Sequence, residues 1–487
     1  MLDTSRRMLA SVVLAGVVLA GTVIMAMACS PSSLVDVQGP STVVDPALVH
    51  TAAAAAQLRL AALNRMVGAF GGSGPSDVLG MTGELTDELS GTGYFPSTST
   101  GDDRNVVNQT LSKNASGFGY GILQSARIKN LQAIQALQLY ASDVPSVPRA
   151  WQGELYALEG YTIVWLAELY CSGIPLTSAP LVGAQVPTRG FTTEEMYAHA
   201  IALFDSAIVV GADSARFVNL ALVGKARALL NQGKFAAADS AARAVPTDFV
   251  YTLQSATSSD DGWAYFAFPV FVARGAFRVQ DNEGTNGLVW STDPRTAITT
   301  VPDETGPMLW PGKYNFDPSS GAAEVTTELS GIPVRLADGL EARLIQAEAA
   351  LVAGDGSWLT TLNTLRSTCV GAAACAPIPG LTDSSLPALS DPGTPETRLD
   401  TLMKERAMWL YLTGHREGDL RRMARIYNRD PDTLWPTGTI NGPAYPPIWS
   451  SPEPGDGTPY GQDMVYAPDV NEHLRNPLYT GCYDTNP

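Results

Sequence analysis

Residues Arg398–Met423 read RLDTLMKERAMWLYLTGHREGDLRRM. Leu399, Leu402, Met403, Arg406, Leu410 and Thr413 recur at spacings of three and four, so they share one face of a helix. Gly414 then offers a residue able to take a left-handed backbone and stop that helix, and a second helix follows it. Asp419 lies among Arg416, Arg421, Arg422 and Arg425, one acid with several guanidinium groups within about two to three turns. Such a cluster either pairs internally to lock a helix corner or binds an anion. Ion-pair networks of this kind are often structural, so the stretch is read as architecture. Glu405, Arg406, His415, Arg416 and Asp419 are expected to pair with neighbouring helices and fix their stacking.

The helices to be locked lie upstream. Thr193 opens a helix to about Val210, and Ala215–Asn231 and Phe235–Val245 follow, joined by Gln232-Gly233-Lys234. Small residues such as Ala226, Ala237 and Ala241 beside a short Gly turn are similar to a tetratricopeptide helix pair. A weaker echo begins at Ala337, ADGLEARLIQAEAALVAGDGSWLTTLNTLR, with Gly354 in its turn. Such units bury their faces only against neighbours, so several must stack, three or four pairs in all. His50–Phe70, Met81–Leu89 and Gly121–Tyr140 also read as helices. Trp151, Leu155, Leu158, Thr162, Trp165 and Leu169 form the apolar stripe of another, ended by Ser172-Gly173-Ile174-Pro175. The fold class is mostly α, a helical scaffold with long irregular loops carrying short strands.

Those loops fall near 90–105, 248–333 and 428–487, where Gly, Pro, Asp and aromatics replace the helical period. Long loops in a compact domain are usually functional or disordered, which places the binding surface there. Tyr94, Phe95, Trp263, Tyr265, Trp290, Trp310 and Tyr314 sit in them among Asp, Asn, Arg and Gly. Flat apolar rings beside short polar groups suit a sugar, whose faces carry C–H and whose edges carry hydroxyls. Equally, each ring could pack the loop region's own small core.

The first residues bear on the compartment. Arg6 and Arg7 precede an uncharged run from Met8 to Ala28 that ends in Ala26-Met27-Ala28-Cys29. A basic start, an apolar core and small residues before a cut site describe an export signal over 1–28, with Cys29 as the lipidated first residue of a bacterial lipoprotein. An uncleaved membrane anchor is the alternative. Residues 29–46 then form a tether and 47–487 a single domain. The chain carries 48 acids against 31 Lys and Arg, net charge −17, which argues against nucleic acid or anionic lipid as the main partner. Four cysteines remain after Cys29. Cys369 and Cys375 flank a short flexible loop that a disulfide could close, leaving Cys171 with Cys482, but four cysteines allow three pairings.

Catalytic motifs are missing. Gly224-Lys225, Gly233-Lys234 and Gly312-Lys313 lack the following Ser or Thr of a phosphate loop, and neither G-x-S-x-G nor H-E-x-x-H occurs. The four histidines are far apart, so no local metal or cofactor motif exists. Adjacent acids such as Asp87-Glu88 and Asp260-Asp261 could serve a glycosidase, but among so many acids such pairs arise by chance.

Four fragments in order resemble the SusD/RagB family of outer-membrane nutrient-binding lipoproteins. They are GELYALEGYTIVWLAELYCSGIPL (Gly153–Leu176), IPVRLADGLEARLIQAEAAL (Ile332–Leu351), ERAMWLYLTGHREGDLRR (Glu405–Arg422), and Pro468, Glu472 and Asn476-Pro477 near the C-terminus. The chain departs from the pattern at Cys171-Ser172, where an aromatic and Gly are usual, and at Thr413 and Glu417-Gly418. The resemblance implies a helical scaffold with a looped ligand face, exposed on the cell surface and lipid-anchored to the outer membrane. It implies a SusC-like TonB-dependent transporter as partner, over which the lipoprotein acts as a lid, and an oligosaccharide or peptide as ligand, with no bond broken. The alternatives are a lipid-anchored tetratricopeptide-like scaffold for envelope assembly and, less favoured, a glycan hydrolase.

Overall fold

Twelve α-helices are found among the described residues, in chain order α1 Ala52–Gly71, α2 Val78–Leu85, α3 Ser112–Leu139, α4 Ala150–Leu169, α5 Thr193–Val210 and α6 Ala215–Asn231, then α7 Phe235–Arg243, α8 Gly339–Val352, α9 Ser357–Thr368, α10 Pro395–Trp409, α11 Arg416–Tyr427 and the short α12 Glu472–Arg475. This is a computed structural model that describes residues 51–72, 76–91, 103–105, 112–143, 147–255, 277–301, 308–311, 334–368, 386–439, 459–469 and 471–487. All of these belong to one compact unit, Pro46–Pro487. Cys29, Tyr94, Phe95, Trp263, Tyr265, Tyr314, Cys369 and Cys375 lie outside the described residues, as does the side chain of Trp310.

Local chemistry sets several helix ends. Thr192, one residue before the expected start, caps α5 in a reciprocal capping box with Glu195. Asp77 accepts from the Gly80 amide and starts α2 ahead of Met81. Helix α3 begins at Ser112 rather than Gly121, so it runs through Gly117, Gly119 and Gly121. Gly119 has a reason to be there: a Cβ would stand 2.5 Å from Met81 Sδ and 2.8 Å from the Ser76 carbonyl.

Helix α4 is the axis of the molecule. It was expected to bury one stripe, but 18 of its 20 residues are buried. A helix covered on every side is a core helix, and α3, α5 and α6 pack along this one. Phe204 of α5 wedges between α4 and α6. Cβ atoms added at Gly160 and Gly224 would come within 2.8 Å and 2.4 Å of its ring, so two glycines make the room. Trp165, Tyr161 and Phe70 complete this aromatic centre, each at most 1% exposed.

From there the stack runs α5 on α6, α6 on α7, α7 on α8 and α8 on α9. Helices α7 and α8 pack together although a long segment separates them in sequence. That segment is an insertion with a closed stem: β4 (Val250–Leu253) pairs antiparallel with β8 (Val334–Asp338). The change of sequence pattern near 248 and 333 marks the two ends of this ladder.

Candidate functional site

The corner between α10 and α11 is enclosed. Helix α10 ends at Trp409, five residues before Gly414, and Leu412 also takes a positive φ of 50°. The buried Glu88 carboxylate accepts from the Leu412 amide at 3.0 Å and bends the chain there. Arg406 clamps Asp419 across the turn at 2.9 and 2.8 Å. Arg422 joins Asp419 to Glu348 of α8. Glu405 accepts from Arg295 and Arg366, and Arg416 clamps Asp87 at 2.7 and 3.2 Å. His415 Nε2 lies 3.0 Å from Glu341 and 3.1 Å from Arg227, which itself grips Glu168 of α4. Burial, the largest influence, raises the Asp419 carboxyl, but Arg406 and Arg422 outweigh it and hold the group well below the usual carboxylate range. All five corner residues are under 9% exposed. With their charges met inside the protein, they leave no face to an outside anion. Of the adjacent acids Asp87 and Glu88, both buried, Asp87 is clamped by Arg416 and Glu88 accepts from the Leu412 amide.

The loops have a common base. Strand β1 (Ser90–Gly91) pairs antiparallel with β5 (Phe277–Arg278). Val279, directly after β5, bridges Leu309 in β7 (Met308–Pro311), and β7 pairs with β6 (Ile298–Val301). Neighbouring strands stand about 4.8 Å apart. The segments carrying Tyr94 and Phe95, Trp263 and Tyr265, and Tyr314 therefore leave the described structure from adjacent strands. Trp310 lies on β7 itself, paired through its backbone with Thr299.

Beside this base the early and late loops are stitched together. Arg104, 1% exposed, donates to the Pro436 and Asp463 carbonyls at 2.6 and 3.1 Å. Asn286 donates to the Asp432 and Trp435 carbonyls, and Tyr460 donates to Glu283. These contacts frame an open cleft of about 430 Å³ lined by Arg104, the Asp430–Asp432 turn, Gln462–Val465, Thr485 and Asn486. Asp432, Gln462 and Asn486 are exposed and supply carboxylate and amide groups able to hydrogen-bond hydroxyls. Behind the cleft, burial pushes the Asp103 carboxyl up to about 7, with the Asn105 amide opposing and Asp463 reinforcing. Burial likewise pushes Glu417 up to about 8, against Arg421 and the hydrogen bond from Trp435.

A second cavity, about 490 Å³ between α7, α8 and α9, is lined by Phe235, Asp239, Arg243, Gln346 and Ser357 among others. Both its carboxylates have partners: Asp239 accepts from Arg243 at 2.5 Å and Gln346 at 3.2 Å, and Asp355 accepts from the Ser357 amide at 2.9 Å. The loop cleft, with the exposed Asp432 and Gln462 side chains on its lining and the β1–β5–β7 base beside it, is the better candidate.

Of the aromatic residues singled out in the sequence, Trp290 is corrected. It is 0% exposed, with its ring 5.0 Å from that of Tyr411 and under Arg416, so it packs the loop region's core and offers no stacking face. The cleft residues Arg104, Asp430, Asp432, Gln462, Asp463 and Asn486 were not singled out. They fall in the loops identified, but scattered polar residues carry no periodic or motif signal. Cys171 and Cys482 form a disulfide, with Cα atoms 5.8 Å apart. Among the described residues no group of three or more His, Cys, Asp or Glu could hold a metal ion, and no helix is long and apolar enough to cross a membrane.

No family model and no curated protein matches the chain. Solved structures do. A SusD superfamily protein from Parabacteroides distasonis superposes with a TM-score of 0.60 at 13% identity, over 88% of this chain and 98% of that one. A SusD homologue from Bacteroides thetaiotaomicron gives 0.58 at 13% identity, over 91% and 99%. This chain has the SusD-like fold. Surface glycan-binding protein A of the same Bacteroides species, solved with laminarihexaose, shares that SusD-like fold at a TM-score of 0.56 and 12% identity, over 88% and 98%. At such identities the likeness is one of backbone architecture.

Proposed function

We propose that this protein binds oligosaccharide on its loop face, at the cleft lined by Arg104, Asp432, Gln462 and Asn486, with the aromatic segments that adjoin β1, β5 and β7 in sequence. One observation carries the reading: β1, β5 and β7 form one base beside a polar cleft, and the sequence segments with Tyr94 and Phe95, Trp263 and Tyr265, and Tyr314 adjoin those strands, on a fold found in a glycan-binding surface protein. Rings would cover sugar faces, and the cleft's amides and carboxylates would take the hydroxyls. The protein acts at the cell surface, anchored in the outer membrane through a lipid on Cys29. There it serves as the lid of a TonB-dependent transporter, with cargo favouring the closed state by differential affinity. It binds its cargo and breaks no bond in it: Asp87 and Glu88 are engaged at the helix corner, Asp260-Asp261 lie outside the described residues, and the similar fold in a glycan-binding surface protein supports a binding role.

The test is a titration of residues 31–487 with a panel of oligosaccharides, laminarihexaose included, and peptides. Saturable glycan binding supports the proposal, and binding of none overturns it. Co-purification of a large β-barrel from membranes tests the lid role separately.

A further inference from the structure

Thr485 and Asn486 form one wall of the cleft, and the segment carrying them is thinly held. No residue from Pro477 to Pro487 is buried. Among the described residues its ties to the rest of the protein are few. The Tyr483 amide donates to the Ser172 carbonyl at 2.7 Å, the Ser172 amide donates to the Asp484 carbonyl at 2.9 Å, and Tyr483 Oη donates to the Gly190 carbonyl at 3.1 Å. Arg189 also donates a hydrogen bond to the Tyr483 side chain, and a handful of partly exposed hydrogen bonds offsets only part of the entropy lost in ordering such a stretch. In its middle stands Cys482, half-buried and bonded to the fully buried Cys171 at the end of α4.

Another stretch of the cleft's lining, Gln462–Val465, has its own anchor. The Tyr466 amide donates to the Leu169 carbonyl at 2.8 Å, its carbonyl accepts from the Cys171 amide at 3.0 Å, and its buried ring donates through Oη to the Met81 carbonyl at 3.0 Å. One stretch is therefore held by a buried ring, and the other by a few exposed-edge hydrogen bonds and one covalent bond.

We infer that the Cys171–Cys482 disulfide is a latch that positions the Thr485–Asn486 wall of the ligand cleft, so that cutting it releases the wall and weakens ligand binding while the helical scaffold stays folded. This rests on the cleft being the glycan site. A dithiol that reduces the bond passes two electrons and two protons to the sulfurs, giving two thiols, and is itself oxidised to a disulfide.

The experiment uses the full chain, folded and oxidised in detergent, before and after dithiothreitol with alkylation, and beside Cys482→Ser. Hydrogen exchange and laminarihexaose titration are both read. The Ser172 and Tyr483 amides should lose protection, the Tyr466 amide and the helices should keep theirs, and affinity should fall about tenfold or more as preorganisation is lost. Unchanged protection at Ser172 and Tyr483 overturns the latch whatever binds. Lost protection with unchanged affinity overturns its role in the cleft. If the oxidised protein ignores the sugar, the glycan reading fails instead, and the exchange data alone decide whether the latch exists.

Discussion

Arg406 of α10 and Asp419 of α11 meet across the Gly414 turn in a two-point clamp, Nε to Oδ2 at 2.9 Å and Nη2 to Oδ1 at 2.8 Å, with Arg406 2% and Asp419 5% exposed. Removing one partner of a buried pair leaves the other charge uncompensated and costs about 3–5 kcal/mol. Asp419→Ala should lower stability by that amount in denaturant unfolding. Affinity of the folded fraction for cargo should not change, and lost affinity without lost stability would return the corner to a binding role. The pH dependence has a definite sign. Because the folded state holds this carboxyl low, its contribution is complete above the unfolded value of 3.8 and disappears as pH falls through the folded one. The gap between wild type and Asp419→Asn should therefore be widest at neutral pH, begin to narrow below about pH 4 and keep shrinking with further acidification.

Glu417, two residues away, should behave in the opposite sense. It is 1% exposed, and its Oε2 accepts from Trp435 Nε1 at 3.0 Å. Burial, partly opposed by Arg421, raises it from 4.5 to about 8. Across that window the folded state keeps a proton that the unfolded state has lost, so stability falls as pH rises. Glu417→Gln keeps an acceptor for the indole and removes the charge. Its melting temperature relative to wild type should climb between pH 5 and pH 8 and then level; a pH-independent difference would mean the buried carboxyl stays ionised.

What the sequence made legible follows physical lines. The α10–α11 corner could be read because helical spacing, Gly414 and clustered arginines are all local signals. The aromatic-rich insertion was bounded well because its stem, β4 with β8, coincides with a change of period. The stripe of six residues understated the burial of α4, because its apolar residues and glycines continue around the other faces, as in a core helix, and the buried Gln152, Glu154, Glu159 and Glu168 interrupt that pattern. Trp290 was misjudged because its partners Tyr411 and Arg416 lie more than a hundred residues away. The cleft was invisible as residues because its walls come from four separate stretches of chain.

Gly224 offers a test of close packing. In most helix interiors Ala is better than Gly by about 1 kcal/mol. Here a Cβ would fall 2.4 Å from the Phe204 ring and 3.0 Å from Tyr161, inside the aromatic centre. The sign should reverse, with Gly224→Ala costing about 1–3 kcal/mol through overpacking. Adding Phe204→Leu makes space, so the double variant should lose less than the sum of the two single changes. Strict additivity by thermal or chemical unfolding would show that the ring moves aside freely.

The cleft can be probed without touching the fold. The Asp432 side chain is exposed, and the turn's other contacts run through its backbone, whose carbonyl accepts from Asn286 at 3.0 Å. Gln462 is exposed too and lines the same cleft. Alanine at either position removes a hydroxyl partner while burying nothing and leaving no cavity, so stability should stay within about 0.5 kcal/mol. A hydrogen bond to a charged group is worth about 1.5–3 kcal/mol and a neutral one about 0.5–1.5 kcal/mol. Asp432→Ala should therefore weaken oligosaccharide binding more than Gln462→Ala. The comparison is a calorimetric titration of both variants with laminarihexaose, or with whichever glycan binds the wild type best. Full affinity in both would move the site away from the cleft to the aromatic loops alone.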